Sequence, residues 1–141
     1  REDGSPPPVD LAHEKRVGDF VRGLIRAGRV TAAHDCSDGG LAVALAEMAM
    51  ASGIGATVTL PPGAAPLPAL FGEDQGRYVL TASQAAVAAL RAEAEKAGVS
   101  MISLGLTGGP DLTLGSLISM SVAKLREAHE NWFPAFLAGT S

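Results

Sequence analysis

The sequence predicts an α/β fold, of α+β type, in which helices pack on one mixed sheet. Three observations predict it. Of the 141 residues 47% are hydrophobic and only 18% charged, which supplies one core at a length that suits one domain rather than two. Amphipathic stripes and short extended runs alternate along the chain, in the order helix, strand, helix, strand, strand, helix, before further short strands and a last helix. Glycine-bearing loops separate many of these elements.

The chain opens with Arg1 to Pro8, a polar, proline-rich stretch that reads as a linker, so residues 9–141 are expected to form the domain and the whole to be a fragment of a larger subunit. From Val9 to about Arg26, Val17, Phe20, Val21, Leu24 and Ile25 recur at helical spacing, and Gly28 stops the helix. Val30 to His34 is extended and runs into the polar loop Asp35 to Gly40. Leu41 to Ser52 is a second helix, with Glu47 as its only charge, so it is expected to lie between layers. Ala56 to Leu60 is a strand, and Pro61 to Pro68, with four prolines, is a flexible loop. Arg77 to Ala82 is the next strand, followed by a helix from Gln84 to Ala97 with Ser83 as its cap and Gly98 as its stop. Val99 to Leu106 and Asp111 to Leu114, separated by Thr107-Gly-Gly-Pro110, form a hairpin or two edge strands, with Leu117 to Met120 after them. Ser121 caps the last helix.

Composition removes several function classes. Eleven Lys and Arg against fifteen Asp and Glu leave a net charge of −4, the wrong sign for a basic nucleic-acid binder. Six aromatic residues are too few for a base-stacking surface. No apolar run reaches the roughly 18 to 20 residues of a membrane helix and the amino end carries no signal core, so a soluble, cytoplasmic protein is expected. One cysteine, Cys36, permits neither an internal disulfide nor a cysteine-based zinc cluster.

Two loops carry candidate chemistry. Asp35-Cys-Ser-Asp-Gly-Gly40 leads from a strand into the start of a helix, where backbone N–H groups are free and glycines let an anion approach. Gly39 and Gly40 would cradle a phosphate there, with Asp35 and Asp38 on a magnesium ion or a ribose hydroxyl. The plainer alternative makes Asp38 a helix cap and the glycines a turn. No lysine follows the glycines, so this is not a Walker A loop. In Leu70-Phe-Gly-Glu-Asp-Gln-Gly-Arg77, Glu73 and Asp74 offer hard oxygen ligands for magnesium, while Gln75 and Arg77 suit a phosphorylated substrate. Its alternative is a solvated turn capped by charges. Both loops lie at strand ends, where open sheets commonly bind ligands, and they are expected on one rim. Cys36 is read as a buried thiol rather than a nucleophile, Thr107 to Pro110 as a turn, and His129 and Trp132 as packing and surface residues.

The runs His34-Asp-Cys-Ser-Asp-Gly-Gly-Leu-Ala-Val-Ala-Leu-Ala-Glu47, Leu70 to Arg77 and Ile118 to Phe133 together resemble the carboxy-terminal domain of phosphoribosylformylglycinamidine synthases, in the aminoimidazole-ribonucleotide-synthetase superfamily. The likeness runs from about Leu11 to Leu137. It implies that superfamily's C-terminal-domain fold and a ligase of purine biosynthesis. Such an enzyme turns formylglycinamide ribonucleotide, ATP and glutamine-derived ammonia into formylglycinamidine ribonucleotide. It further implies ATP and magnesium as cofactors, with Asp35 and Gly72 at positions assigned to ATP, Glu73 as a magnesium ligand, Gln75 touching substrate, and the amides of Gly39 and Gly40 close by. The implied partners are the amino-terminal domains of the same subunit, a glutaminase subunit and a small accessory subunit. The family's catalytic histidine belongs to preceding domains and is not His34, so this stretch alone is expected to be inactive. Two other readings stand beside this one: a structural or subunit-docking domain, or another ATP-using member such as thiamine-monophosphate kinase or selenophosphate synthetase.

Overall fold

A computed structural model describes residues 9–139. The linker expected at Arg1 to Pro8 lies outside the described residues. The order is α1 (Leu11–Arg26), β1 (Ala32–Asp35), α2 (Gly40–Ser52), β2 (Ala56–Val58), α3 (Pro66–Phe71), β3 (Tyr78–Thr81), a 3₁₀ turn (Gln84–Ala86), α4 (Val87–Lys96), β4 (Gly105–Thr107), β5 (Asp111–Leu114), β6 (Ile118–Ser121) and α5 (Val122–Leu137). Helices and a mixed sheet are present as expected, but the strands form two sheets instead of one. The chain divides into two compact units, one from the residues up to Ala44 with Ala65–Ser103, the other from Leu45–Ala64 with the residues from Leu104 onward.

The first unit is built on α1. Asp10 caps it by accepting from the His13 N–H at 3.0 Å, and Gly28 ends it with φ +63°, a backbone region costly for any residue with a Cβ. Most of its apolar stripe enters the core: Val17 and Val21 pack with Ala94 of α4 and Val99, while Phe20, Leu80 and Met101 close around them, and Leu24 is buried, but Ile25, expected in the stripe, is exposed. β1 and β3 pair antiparallel, Ala32 opposite Thr81 and Asp35 opposite Tyr78. α3 replaces part of the expected proline loop. Pro66 opens this helix, where the missing N–H has no partner to lose, and Leu70 on it is 1% exposed. Ser83 precedes the 3₁₀ turn, but its side chain makes no capping hydrogen bond.

In the second unit four strands order as β4-β2-β5-β6. β2 runs antiparallel to β4 and parallel to β5, so β2 separates the two strands expected to form a hairpin. The hairpin is β5 with β6. β4 alone of the expected pair lies at an edge. The Thr107 to Pro110 segment closes around Gly55: its N–H donates to Gly109 O and its carbonyl accepts from Gly108 N, both at 2.8 Å. A Cβ on Gly55 would stand 2.1 Å from Asp111 O, so only glycine admits this approach. Ser121 caps α5 as expected, accepting from the Lys124 N–H at 3.2 Å, and Arg126 donates to Met50 O.

The helix α2 is not covered on every side. Leu41, Ala42, Ala44, Leu45 and Ala49 are buried, whereas Val43 and Glu47, four residues apart on one face, are exposed. On α5 only Val122 is buried, and Trp132 stacks on Phe136 at 5.5 Å with both rings exposed.

Candidate functional site

The candidate site belongs to the first unit and is made by the β1–β3 ladder. Because Asp35 pairs with Tyr78, the loop that leaves β1 and the loop that enters β3 emerge side by side. The Cys36 N–H extends the ladder by donating to Arg77 O at 2.9 Å. The expectation that the two loops share one rim is met directly: Gly39 N donates to Glu73 Oε1 at 2.8 Å. Between them lies a depression of about 240 Å³, lined by Asp35 to Asp38 on one side and by Glu73 and Gln75 to Tyr78 on the other.

The glycines have local reasons to be glycine. Gly39 and Gly40 have φ of +79° and +64°. A Cβ on Gly40 would lie 2.6 Å from Gly72 O and 2.9 Å from Leu70 O, so the start of α2 sits flush against the end of α3. Gly72, in turn, would place a Cβ 2.4 Å from Pro68 O. The two amides proposed for a phosphate are both engaged, Gly39 by Glu73 and Gly40 by Ser37 O at 2.9 Å. A carboxylate thus holds the anion position beside the first turn of α2.

Arg77, although it lines the depression, gives its guanidinium to backbone carbonyls. Its Nη1 donates to Gly72 O and its Nη2 to Ala69 O, each at 3.0 Å, with the Asp74 carboxylate 3.6 Å away. The Nδ1 of His34 meets its neighbour's carbonyl, Asp35 O, at 2.7 Å. Cys36 is buried, and burial pushes its thiol up, with Arg77 opposing and Asp35 adding to the shift. A thiol held protonated in this way is a poor nucleophile, in keeping with the packing role read from the sequence. Ser37, Gly76 and Tyr78 also line the depression and were not singled out by sequence reasoning. The available signal was strand register: a residue opening the strand opposite Asp35 must stand beside it.

Among the described residues no group of three or more His, Cys, Asp or Glu gathers as a metal cage. The donors present still suit magnesium, which is typically held by one or two carboxylates with phosphate and water completing its shell. Asp35, Asp38 and Glu73 are exposed carboxylates on one depression.

The chain is 66% identical over 141 residues to the phosphoribosylformylglycinamidine synthase subunit PurL of Chelativorans sp. strain BNC1, an alignment covering 97% of this chain and 19% of that protein. It therefore spans about one fifth of the length of the curated relatives it matches. Its fold matches PurLQS from Thermotoga maritima with a TM-score of 0.73 at 20% identity, over 84% of this chain and 22% of that one. It also matches T. maritima PurL complexed with ATP, with a TM-score of 0.70 at 20% identity over 79% and 21% of the two chains. The family described as AIR synthase related protein, C-terminal domain, matches residues 1–131, and the chain belongs to that family.

Proposed function

We propose that this chain, with residues 9–141 as its folded domain and Arg1 to Pro8 as a linker, is the carboxy-terminal part of an ATP-dependent ligase of purine biosynthesis. That ligase converts formylglycinamide ribonucleotide and glutamine-derived ammonia into the formylglycinamidine ribonucleotide. The observation that carries this reading is the meeting of the 35–40 and 72–77 loops on one depression, in a chain two-thirds identical to a PurL subunit.

In this reading the domain supplies one wall of a composite site. Asp35 and Glu73 offer carboxylate oxygens to nucleotide-bound magnesium, and Gln75 offers its amide to the phosphorylated substrate. Gly40 and Gly72 shape the wall by letting backbone meet backbone, and Gly39 by leaving room for the Val43 side chain. One wall cannot surround a transferring phosphoryl group, so the domain by itself neither hydrolyses ATP nor forms the amidine. The opposite wall comes from the amino-terminal domains of the same subunit. Ammonia comes from a glutaminase subunit held with a small accessory subunit, a reading supported by the fold match to a PurLQS structure. Such a soluble assembly acts in the cytoplasm, and among the described residues no helix is long and apolar enough to cross a membrane.

The test is Glu73→Gln in the full-length subunit. Magnesium-dependent ATP binding is expected to weaken by roughly tenfold, the loss of one charged contact, while the melting temperature changes by only a few degrees. Unchanged magnesium dependence with a large fall in melting temperature would instead make Glu73 a structural anchor.

A further inference from the structure

We propose that Arg77 is a positioning residue: its guanidinium pins the carbonyls that end α3 and so fixes where Glu73 stands, and it makes no contact with substrate. The inference rests on the function proposed above and reassigns a residue whose place in the sequence suggested a substrate contact.

The argument begins with a helix too short to satisfy itself. α3 has six residues, and its last carbonyls lack partners within the helix. Gly72 N closes back on Pro68 O at 2.9 Å, and the carbonyls that follow, Ala69 O and Gly72 O among them, need donors from outside the helix. Arg77 supplies one nitrogen to each, and its planar fork is the side-chain geometry that can donate to two fixed acceptors at once. The side chain is 30% exposed, so these bonds are partly shielded from water. Asp74, at 3.6 Å, balances the remaining charge, which leaves a weakened field for any anion in the depression.

Both ends of the 72–77 segment are thereby tied. The guanidinium holds Gly72 at one end, and at the other Arg77's own carbonyl accepts from the Cys36 N–H at 2.9 Å. Glu73 is the residue next to the pinned carbonyl. Its reach to Gly39 N is set by where Gly72 is held, and Gly72 O is also the atom against which Gly40 packs. Arg77 thus acts on the carboxylate through one peptide unit. A lysine could serve only one of the two carbonyls well, so the role is specific to arginine.

The test uses the full-length subunit with Arg77→Ala, Arg77→Lys, Glu73→Gln and the double variant Arg77→Ala/Glu73→Gln. Arg77→Ala is expected to raise the magnesium concentration for half-maximal turnover about tenfold, and Arg77→Lys by less, with KM for the phosphorylated substrate within about twofold of the parent in both. The double variant is expected to be no worse than Glu73→Gln alone, because Arg77 works through Glu73. Hydrogen exchange read without nucleotide or metal supplies the independent measure: Gly39 and Gly72 amides should exchange faster in both Arg77 variants. A large rise in substrate KM with magnesium dependence intact, or effects that multiply in the double variant, would overturn the inference and leave the proposed function standing. If Glu73→Gln leaves magnesium dependence unchanged, the proposed function fails instead. Arg77 is then judged by exchange alone, faster at Gly39 for and unaltered against. Should Arg77→Ala fail to fold, Arg77→Lys decides by the same exchange criterion.

Discussion

In the first unit β1 and β3 pair only with each other, whereas in the second β2 and β5 each have a strand on both sides. The difference decides what holds each unit's loops. Around β2 the backbone satisfies itself: Gly55 exchanges hydrogen bonds with Gly108 and Gly109, and Gly115 N returns to Val58 O at 2.8 Å. Around β1 and β3 no further strand flanks the ladder, and side chains finish the work. Thr31 Oγ1 reaches Thr81 O at 3.1 Å, Glu73 reaches Gly39 N, and Arg77 reaches two carbonyls. Charged side chains concentrated at a strand end for structural reasons are also the groups a polar ligand would meet. The candidate chemistry therefore lies in the unit whose backbone is less complete.

The contrast can be broken most severely in the second unit. Gly55→Ala forces a Cβ to within 2.1 Å of Asp111 O, so backbone must move and two hydrogen bonds go with it. A loss of about 4 kcal/mol is expected from denaturant melts, with faster amide exchange along β2 and β5. In the first unit the matching break is apolar. Leu70→Ala empties a site that is 1% exposed and should cost about 3 kcal/mol, read from the shift in denaturation midpoint. The helix caps sharpen the comparison at smaller scale. Ser121→Ala should cost about 1 kcal/mol at any pH, because a hydroxyl acceptor does not titrate in the accessible range. Asp10 differs, since the His13 N–H holds its carboxyl below the usual value, so its cap is present at neutral pH and fades as pH falls through that lowered pKa. The Asp10→Ala and parent proteins should therefore converge in stability in acid, while Ser121→Ala and parent should not.

Features written in local sequence were legible. The stripe of α1, its stop at Gly28 and the Ser121 cap follow from spacing within one or two turns. Strand partners were not, because β2 enters between β4 and β5 from about fifty residues away, and nothing in Thr107 to Pro110 distinguishes a hairpin turn from a loop that wraps Gly55. Prolines misled at α3, where Pro66 opens a helix although the cluster reads as a break. At the candidate site the two loops and their shared rim were readable from their places at strand ends. The division of labour within them was not: a guanidinium beside an acidic loop looks the same in sequence whether it faces a ligand or, like Arg77, its own backbone.

The central claim is that the 35–40 and 72–77 loops are one rim joined by Glu73. Its most direct measurement is the Gly39 amide, followed by NMR and hydrogen exchange in the parent chain and in Glu73→Ala. With the bond at 2.8 Å lost, that amide should move upfield and exchange roughly tenfold faster, while the amide of Val79 within the β1–β3 ladder keeps its rate. A Gly39 amide with unchanged shift and unchanged protection in Glu73→Ala would contradict the account.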